Sequence, residues 1–113
     1  MQYNLHQKRF RSLSNSSSGD VDKETVFYYF QEGDIVWATY RGGAIRKGTL
    51  IARWLPEGQL EMRYQHLSKA NEFKTGQCVS TPELQADGKL RMYEKWKWTS
   101  GDKSEGNSII EEI

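Results

Sequence analysis

Very short connectors between segments of β-type sequence are the feature that most limits how this chain can fold. From Thr25 onward, runs rich in β-branched and aromatic residues alternate with Gly, Asn and Asp, as in strands joined by tight turns. Parallel neighbours need crossover connections of about a dozen residues or more, which these connectors are too short to supply. The sequence therefore predicts an antiparallel meander in which each strand pairs with the next.

The pattern predicts eight strands, and no window shows an apolar repeat at helical spacing. Four of the turns contain a residue that tolerates positive φ: Glu32-Gly33-Asp34, Arg41-Gly42-Gly43, Pro56-Glu57-Gly58 and Asp87-Gly88. The predicted strands are Lys8 to Leu13, Thr25 to Gln31, Ile35 to Tyr40, Ala44 to Arg53, Gln59 to Leu67, Phe73 to Leu84, Lys89 to Thr99, and Asn107 to Ile113.

Closure of the sheet is favoured because an open meander of this length would expose two edges. A closed sheet of eight strands leaves an interior that side chains fill or that holds one small ligand. We therefore predict an all-β, eight-stranded antiparallel up-and-down barrel, similar in shape to the lipocalin and fatty-acid-binding-protein group. Gly48 and Gly76 fall inside predicted strands, where glycine often marks a bulge or a sharp bend.

The chain length predicts one domain, since two halves of a 113-residue chain would each be too short to bury a useful core. That domain covers residues 1–113. Its one outlier is the segment from Ser12 to Lys23, SLSNSSSGDVDK, which is too polar to pack. We expect a flexible connector there; a lid over one mouth of the barrel is the alternative.

Charge and composition argue against several partners. Lys and Arg total 16 against 15 Asp and Glu, so no overall field concentrates polyanions, and no nucleic-acid partner is expected. No apolar run approaches the roughly 18 residues that would span a bilayer, and Met1 to Phe10 lacks the apolar stretch of a secretory signal. We expect a cytoplasmic protein with no membrane partner.

Few residues could supply a metal site or a nucleophile. Cys78 is the single cysteine and is expected to be a buried, inert thiol. A metal site would depend on His66 and carboxylates such as Glu94, which are too few ligands, so no metal is predicted.

The seventh strand shows which of its faces is buried. One face has Leu90, Met92, Glu94, Trp96 and Trp98, while the other alternates with it and contains four cationic residues. Glu94 therefore lies among apolar neighbours, where an unpaired carboxylate would cost several kcal/mol and needs a cation, donors or a proton.

The fifth strand has Tyr64 and His66 on one face, and both side chains are expected to share the interior with Glu94. The functional interpretation is a polar cluster of these residues on the floor of a Trp-lined cavity. The alternative is a satisfied internal network, or a Glu94 near a wet mouth. An aromatic girdle that includes Tyr28 and Phe30 is expected to be core packing more than a ligand platform. The candidate ligand-binding residues are Trp37, Tyr64, His66, Glu94, Trp96 and Trp98.

Five short segments of the chain carry a resemblance to known proteins. They are Thr25 to Tyr29, Gly42 to Gly48, Met62 to His66, Thr75 to Cys78, and Trp96 to Lys103. In these segments the chain resembles a family of short bacterial proteins labelled N-acetylglutamate synthase. The resemblance implies acetyl transfer from acetyl-CoA to glutamate. The usual fold for that reaction has a strand-loop-helix that binds pyrophosphate, and the residues show no such motif.

Three functions follow from these patterns. The leading hypothesis is a barrel that binds a small, partly apolar ligand and needs no cofactor. The second is an enzyme for a small acyl or amino-acid substrate, with Glu94 or His66 as general base and acetyl-CoA as donor if the resemblance holds. The third is a filled barrel that makes protein contacts as a monomer or homodimer.

Overall fold

The barrel closes between its first and last strands. The computed structural model describes residues 3–113, in which eight antiparallel strands follow chain order and β1 pairs with β8. The predicted all-β, up-and-down architecture is confirmed. Within the described range no helix is long and apolar enough to span a bilayer. The strands are β1 Arg9–Asn15, β2 Val26–Glu32, β3 Ile35–Gly42, β4 Ile45–Trp54, β5 Leu60–Ser68, β6 Phe73–Leu84, β7 Leu90–Trp98 and β8 Glu105–Glu112.

The first strand extends further than its sequence predicts. Ser12 to Asn15 belong to β1 and pair with β8 through a register shift between Ser12 and Ser14. The predicted connector therefore loses its first four residues to the sheet. The loop between β1 and β2, residues 16–25, is called the mouth loop below.

Gly48 and Gly76 do not mark bulges, as the sequence predicts, but make room for aromatic rings. Gly48 pairs in register with Tyr40, and Gly76 pairs in register with Tyr64, so neither glycine is itself a bulge. A Cβ atom on either glycine would overlap the ring of its tyrosine partner. Each glycine therefore lets a tyrosine ring lie flat across the neighbouring strand, the packing known as aromatic rescue.

Replacing Gly48 by Ala is expected to cost about 2 kcal/mol of unfolding free energy, in the range for overpacked cores. The physical reason is that the Tyr40 ring fills the space of the new methyl group. Urea unfolding would measure the change, with Thr49→Ala on the exposed face as a control expected to cost under about 1 kcal/mol. Equal stability of the Gly48→Ala variant and the wild type would contradict the packing described here.

The interior differs between its two ends. The end where β1 begins is filled by fully buried apolar side chains, and the segment before β1 lies across it, with Leu5 completely buried. The Leu5 backbone N–H donates to Gln31 Oε1, and the Gln7 N–H donates to the Tyr29 carbonyl. The opposite end, where β1 leads into the mouth loop, has the polar interior residues. The barrel is therefore closed at one end and has its cavity toward the other.

Candidate functional site

A cavity opens between the mouth loop and the barrel interior. Its volume is about 50 Å³, which is enough for a few waters, since one water needs roughly 10–15 Å³. All eight strands contribute side chains to its wall, and three mouth-loop residues complete it. Its lining includes Asp20, Tyr29, Tyr40, Tyr64, His66, Glu94, Trp96 and Trp98.

Glu94 is the polar centre of the cavity floor. Ser80 Oγ donates to Glu94 Oε2 at 3.1 Å, and Ser108 Oγ donates to Oε1 at 3.2 Å, each from the adjacent strand. Burial raises the pKa of Glu94 to about 7, although the two serine hydrogen bonds act in the opposite direction. The carboxyl group therefore changes its charge near neutral pH while both hydroxyls hold it in place.

Tyr29 has an unpaired hydroxyl in the cavity wall. Its Oη is buried and has no hydrogen-bond partner among residues 3–113. Burial raises the pKa of Tyr29 well above its ordinary value, with smaller contributions from Glu94, Cys78 and Tyr40, so the hydroxyl stays protonated as a donor. Buried polar groups are nearly always paired, so the Tyr29 hydroxyl is a donor for a water or a ligand in the cavity.

Aromatic side chains form one wall of the cavity. Trp96 and Trp98 lie on adjacent inward positions of β7 with ring centroids 5.7 Å apart, and Tyr64 meets Trp98 edge-on at 5.7 Å. Trp96 Nε1 donates to Asn15 Oδ1 at 2.9 Å, and Trp98 Nε1 donates to the Ser18 carbonyl at 3.1 Å. Both indole N–H groups are thus satisfied by the end of β1 and the mouth loop, which leaves the ring faces for apolar contact.

A chain of hydrogen bonds crosses the cavity mouth. His66 Nε2 lies 3.0 Å from Asp20 Oδ2, and the Tyr40 hydroxyl lies 3.1 Å from His66 Nδ1. Lys74 Nζ donates to Asp20 Oδ1 at 3.1 Å. These distances fit a neutral His66 that donates from Nε2 to Asp20 and accepts from Tyr40 at Nδ1.

The charges at the mouth agree with that tautomer. Burial lowers the pKa of His66 and outweighs the opposing effect of Asp20, so the imidazole is neutral at pH 7. Burial alone would raise the pKa of Asp20, but hydrogen bonds from His66 and Lys74 more than compensate, and the net pKa is below its ordinary value. Asp20 is therefore an anion that ties the mouth loop to β5 and β6.

The comparison with protein families agrees with this arrangement of one barrel around one end-opening cavity. A model of avidin-like proteins matches residues 3–113, nearly the whole chain. The chain belongs to the avidin-like family. The predicted small-ligand-binding barrel is confirmed at this level. No curated protein and no solved structure matches the chain.

Membership of the avidin-like family corrects the expected relationship to N-acetylglutamate synthase, which the comparisons do not support. The segments that suggested it are accounted for by the barrel. Gly42 to Gly48 form a β-hairpin turn and the start of a strand, and Trp96 to Lys103 form the end of β7 and the following turn. The expected shape, an eight-stranded barrel like that of the lipocalin group, is correct, but the family is avidin-like.

The avidin-like barrel brings five of the six predicted site residues to the cavity: Tyr64, His66, Glu94, Trp96 and Trp98. Their predicted single polar cluster is wrong. Glu94 bonds to Ser80 and Ser108, while His66 bonds to Tyr40 and Asp20. The two serine donors fit the predicted alternative of an internal network around Glu94, although its remaining acceptor positions have no protein donor among the described residues.

Trp37 is the misplaced residue. The prediction that it forms a cavity wall is wrong, because its neighbours Val36 and Ala38 take the inward positions of β3. Its ring packs instead on Phe30 at 5.9 Å on the outside of the avidin-like barrel, and Phe30 packs on Tyr28 at 4.6 Å. The predicted girdle is therefore split between an outer stack and the inner wall.

Sequence reasoning missed the polar residues that complete the site. Tyr29 and Tyr40 lie on inward positions of β2 and β3, and strand alternation would have found them had the faces been assigned correctly. Ser80 and Ser108 were detectable as the cross-strand neighbours of Glu94 once register was known. Asp20 had no local signal, since its position depends on the path of the mouth loop. Cys78, predicted to be a buried thiol, is buried in the cavity wall.

Proposed function

We propose that the cavity of this avidin-like barrel binds the headgroup of a small molecule through a neighbouring C=O and N–H pair, as in a cyclic urea or lactam. One observation supports this ligand class above all: the unpaired Tyr29 hydroxyl lines the same cavity as the Glu94 carboxyl. The Tyr29 hydroxyl donates, and the Glu94 carboxyl has free acceptor positions. A ligand whose carbonyl accepts from Tyr29 and whose N–H donates to Glu94 satisfies both groups.

The hydrogen-bond capacity of Glu94 supports this class. An ionised carboxylate has about four acceptor positions, and the two serine hydroxyls use one on each oxygen. The remaining positions have no protein donor among the described residues. A ligand N–H meets them, while its carbonyl accepts from Tyr29. Tyr64, Trp96 and Trp98 supply apolar surface around the ring, and this distribution of few polar groups in an aromatic cavity is typical of small-molecule sites.

The cavity volume limits the headgroup. A volume of about 50 Å³ excludes a fatty acid and limits the part of the ligand inside the barrel to a small headgroup. 2-Imidazolidinone, a cyclic urea without a tail, is therefore the first probe, measured by calorimetry or by NMR titration. Biotin has the same urea in a larger fused ring with an acidic tail. Comparing the affinities for 2-imidazolidinone and biotin therefore shows whether the cavity has room beyond the urea ring. Absence of binding by both ureas and by 2-pyrrolidone would overturn the proposal.

Affinity for 2-imidazolidinone is expected to fall about tenfold for each pH unit below 7 and to be constant above it. The sign follows from the raised pKa of Glu94, about 7, because the ligand N–H binds the ionised form and competes with the proton. The Glu94→Gln variant should bind more weakly and lose this pH dependence. A wild-type affinity that rises on acidification would show that the ligand binds protonated Glu94 instead.

The other functions in the sequence analysis have less support. An enzyme with Glu94 or His66 as base stays a prediction without a substrate, and the cavity gives no reason to add acetyl-CoA. A role in protein contacts also stays a prediction, for which the exposed outer stack of Tyr28, Phe30 and Trp37 is the surface to test.

A further inference from the structure

A cationic groove lies on the outside of the barrel, beside the β3–β4 hairpin. It is separate from the cavity, because its charged side chains are exposed on β1, β3 and β4, in the turn after β5 and in the mouth loop. Among the described side chains that line it, five are cations and one, that of Glu24, is a carboxylate. The cations are Arg9, Arg41, Arg46, Lys47 and Lys69.

This groove concentrates positive charge that the composition does not reveal. The whole chain has a net charge of +1, so the excess of cations in one groove leaves the rest of the chain net negative. None of the five cations forms an ion pair among residues 3–113, whereas five cations elsewhere on the barrel do. Arg46 donates instead to the neutral Asn71 Oδ1 at 3.1 Å. The groove therefore has an uncompensated positive charge, which attracts a polyanion.

A β-bulge gives the groove one of its cations. Arg46 is an extra residue of β4 between Ile45 and Lys47, which pair with successive residues of β5. Consecutive residues of a regular strand point to opposite faces, but Arg46 and Lys47 are both exposed, and regular alternation resumes at Gly48. Bulges redirect side chains in this way and are common beside functional sites. The bulge thus places two adjacent cations on the outer face, where a regular strand would place one.

An exposed aromatic ring borders the same groove. Tyr28 is 40 % exposed and pairs with Arg9 across β1 and β2. One side of its ring stacks on Phe30 at 4.6 Å, and the other side borders the groove. A flat group that stacked there would extend the column of rings that Trp37 and Phe30 begin. Aromatic rings that stack on bases, set beside cations that follow the phosphates, are the usual means of binding a single strand of nucleic acid.

We infer that this groove binds single-stranded nucleic acid, with one base stacked on Tyr28 and the neighbouring phosphates held by Arg46 and Lys47. The inference goes beyond the proposed function, because the groove and the cavity are separate sites. The low net charge of the chain predicts no such partner, since net charge does not show how charges are distributed over a surface. A single strand fits better than a duplex, whose bases stack on one another and leave no face for Tyr28.

The first experiment measures the salt dependence of binding. The probe is a labelled oligothymidylate of about ten nucleotides, followed by fluorescence anisotropy. The logarithm of the affinity should fall with the logarithm of the salt concentration, with a slope of about 0.7 for each phosphate contact. The Arg46→Gln/Lys47→Gln variant should bind about tenfold more weakly, and its slope should be smaller by about 1.4. Lys95→Gln/Lys97→Gln removes the same charge from exposed positions of β7 and should bind nearly as tightly as the wild type.

A second probe, an abasic strand of the same length, separates base stacking from charge. The wild type should prefer the oligothymidylate to the abasic strand by about tenfold. Tyr28→Leu should abolish this preference and leave the salt slope unchanged, because it removes the ring and no cation. Tyr93→Leu is the matched control, since Tyr93 is 37 % exposed on the outer face of β7 and lies outside the groove. Its preference for the oligothymidylate should equal that of the wild type.

Each result of these measurements decides for or against the groove. Weaker binding confined to the groove variants, with a base preference that depends on Tyr28, supports the inference. Equal losses in the two double variants would show a response to net charge alone, and equal affinity for the abasic strand would show a site for any polyanion; either result overturns it. No binding at low salt, or binding only to phosphatidylserine vesicles tested in parallel, also overturns it. The groove variants should bind 2-imidazolidinone as the wild type does, so the groove and the cavity proposals can fail separately.

Discussion

Glu94→Gln is expected to raise the free energy of unfolding at pH 8 by about 3 kcal/mol, a gain of more than ten degrees in melting temperature for a domain of this size. The pKa of Glu94 is raised from 4.5 to about 7 by burial, so the native state binds a proton more tightly than the unfolded state. Ionisation therefore destabilises the fold. The penalty begins as pH rises above the unfolded pKa and is complete above about 7.

The glutamine variant keeps the polar contacts without the charge. Its carbonyl oxygen accepts from one serine hydroxyl, and its amide donates to the other, which rotates to accept. Urea unfolding at pH 4 and pH 8 checks the prediction: the two proteins should be similar at pH 4 and separate at pH 8. Glu105→Gln, an exposed carboxylate on β8, is the matched control and should change stability little at either pH. A Glu94→Gln variant that is less stable than wild type at pH 8 would contradict the burial argument.

The fold was predictable because local and long-range signals agree. Glycine-containing turns fix antiparallel neighbours, and closure of the sheet follows from the cost of open edges. On β7 the inward face was also clear, because lysine and arginine occupy alternate positions against Trp96 and Trp98. Where one face is charged and the other apolar, strand alternation assigns each side chain directly.

The faces of β2 and β3 were not predictable in the same way. Both faces of β2 are aromatic, with Phe27 and Tyr29 inward and Tyr28 and Phe30 outward. Composition alone does not separate the two faces, and on β3 the rule that a large ring lies in the core places Trp37 on the wrong side. If the inward positions of a strand are assigned one residue out of step, every side chain expected in the cavity lies on the surface instead.

The mouth was the least predictable part of the site. Asp20 is close to His66 only because the mouth loop folds back over β5 and β6, a separation of 46 residues along the chain. The serine-rich composition of the mouth loop predicts a flexible connector, because a segment with so few large apolar side chains buries too little apolar surface to offset the entropy cost of ordering it. The hydrogen bonds to Ser18 and Asp20 are specific, but they depend on side chains from distant strands, Trp98 and His66.

Tyr29→Phe is expected to make the empty barrel more stable by about 1–3 kcal/mol and to weaken 2-imidazolidinone binding about tenfold. Removing the hydroxyl removes a buried donor that no other group among residues 3–113 pairs, while the ring and its packing on Phe10 stay. The same donor is the one that the ligand carbonyl uses in the proposed complex. Stability and affinity should therefore change in opposite directions.

Tyr40→Phe provides the matched control, because it is the same chemical change at a hydroxyl that is already paired. Its Oη lies 3.1 Å from His66 Nδ1, so its removal leaves a buried imidazole nitrogen without a donor and should lower stability by about 1 kcal/mol or more. Thermal unfolding and calorimetric titration of the two variants compare the effects directly. If Tyr29→Phe lowers stability as Tyr40→Phe does, then the Tyr29 hydroxyl has a structural partner and is not kept free for a ligand. If Tyr29→Phe raises stability and lowers affinity, the Tyr29 hydroxyl destabilises the empty barrel and finds its hydrogen-bond partner only in the bound molecule.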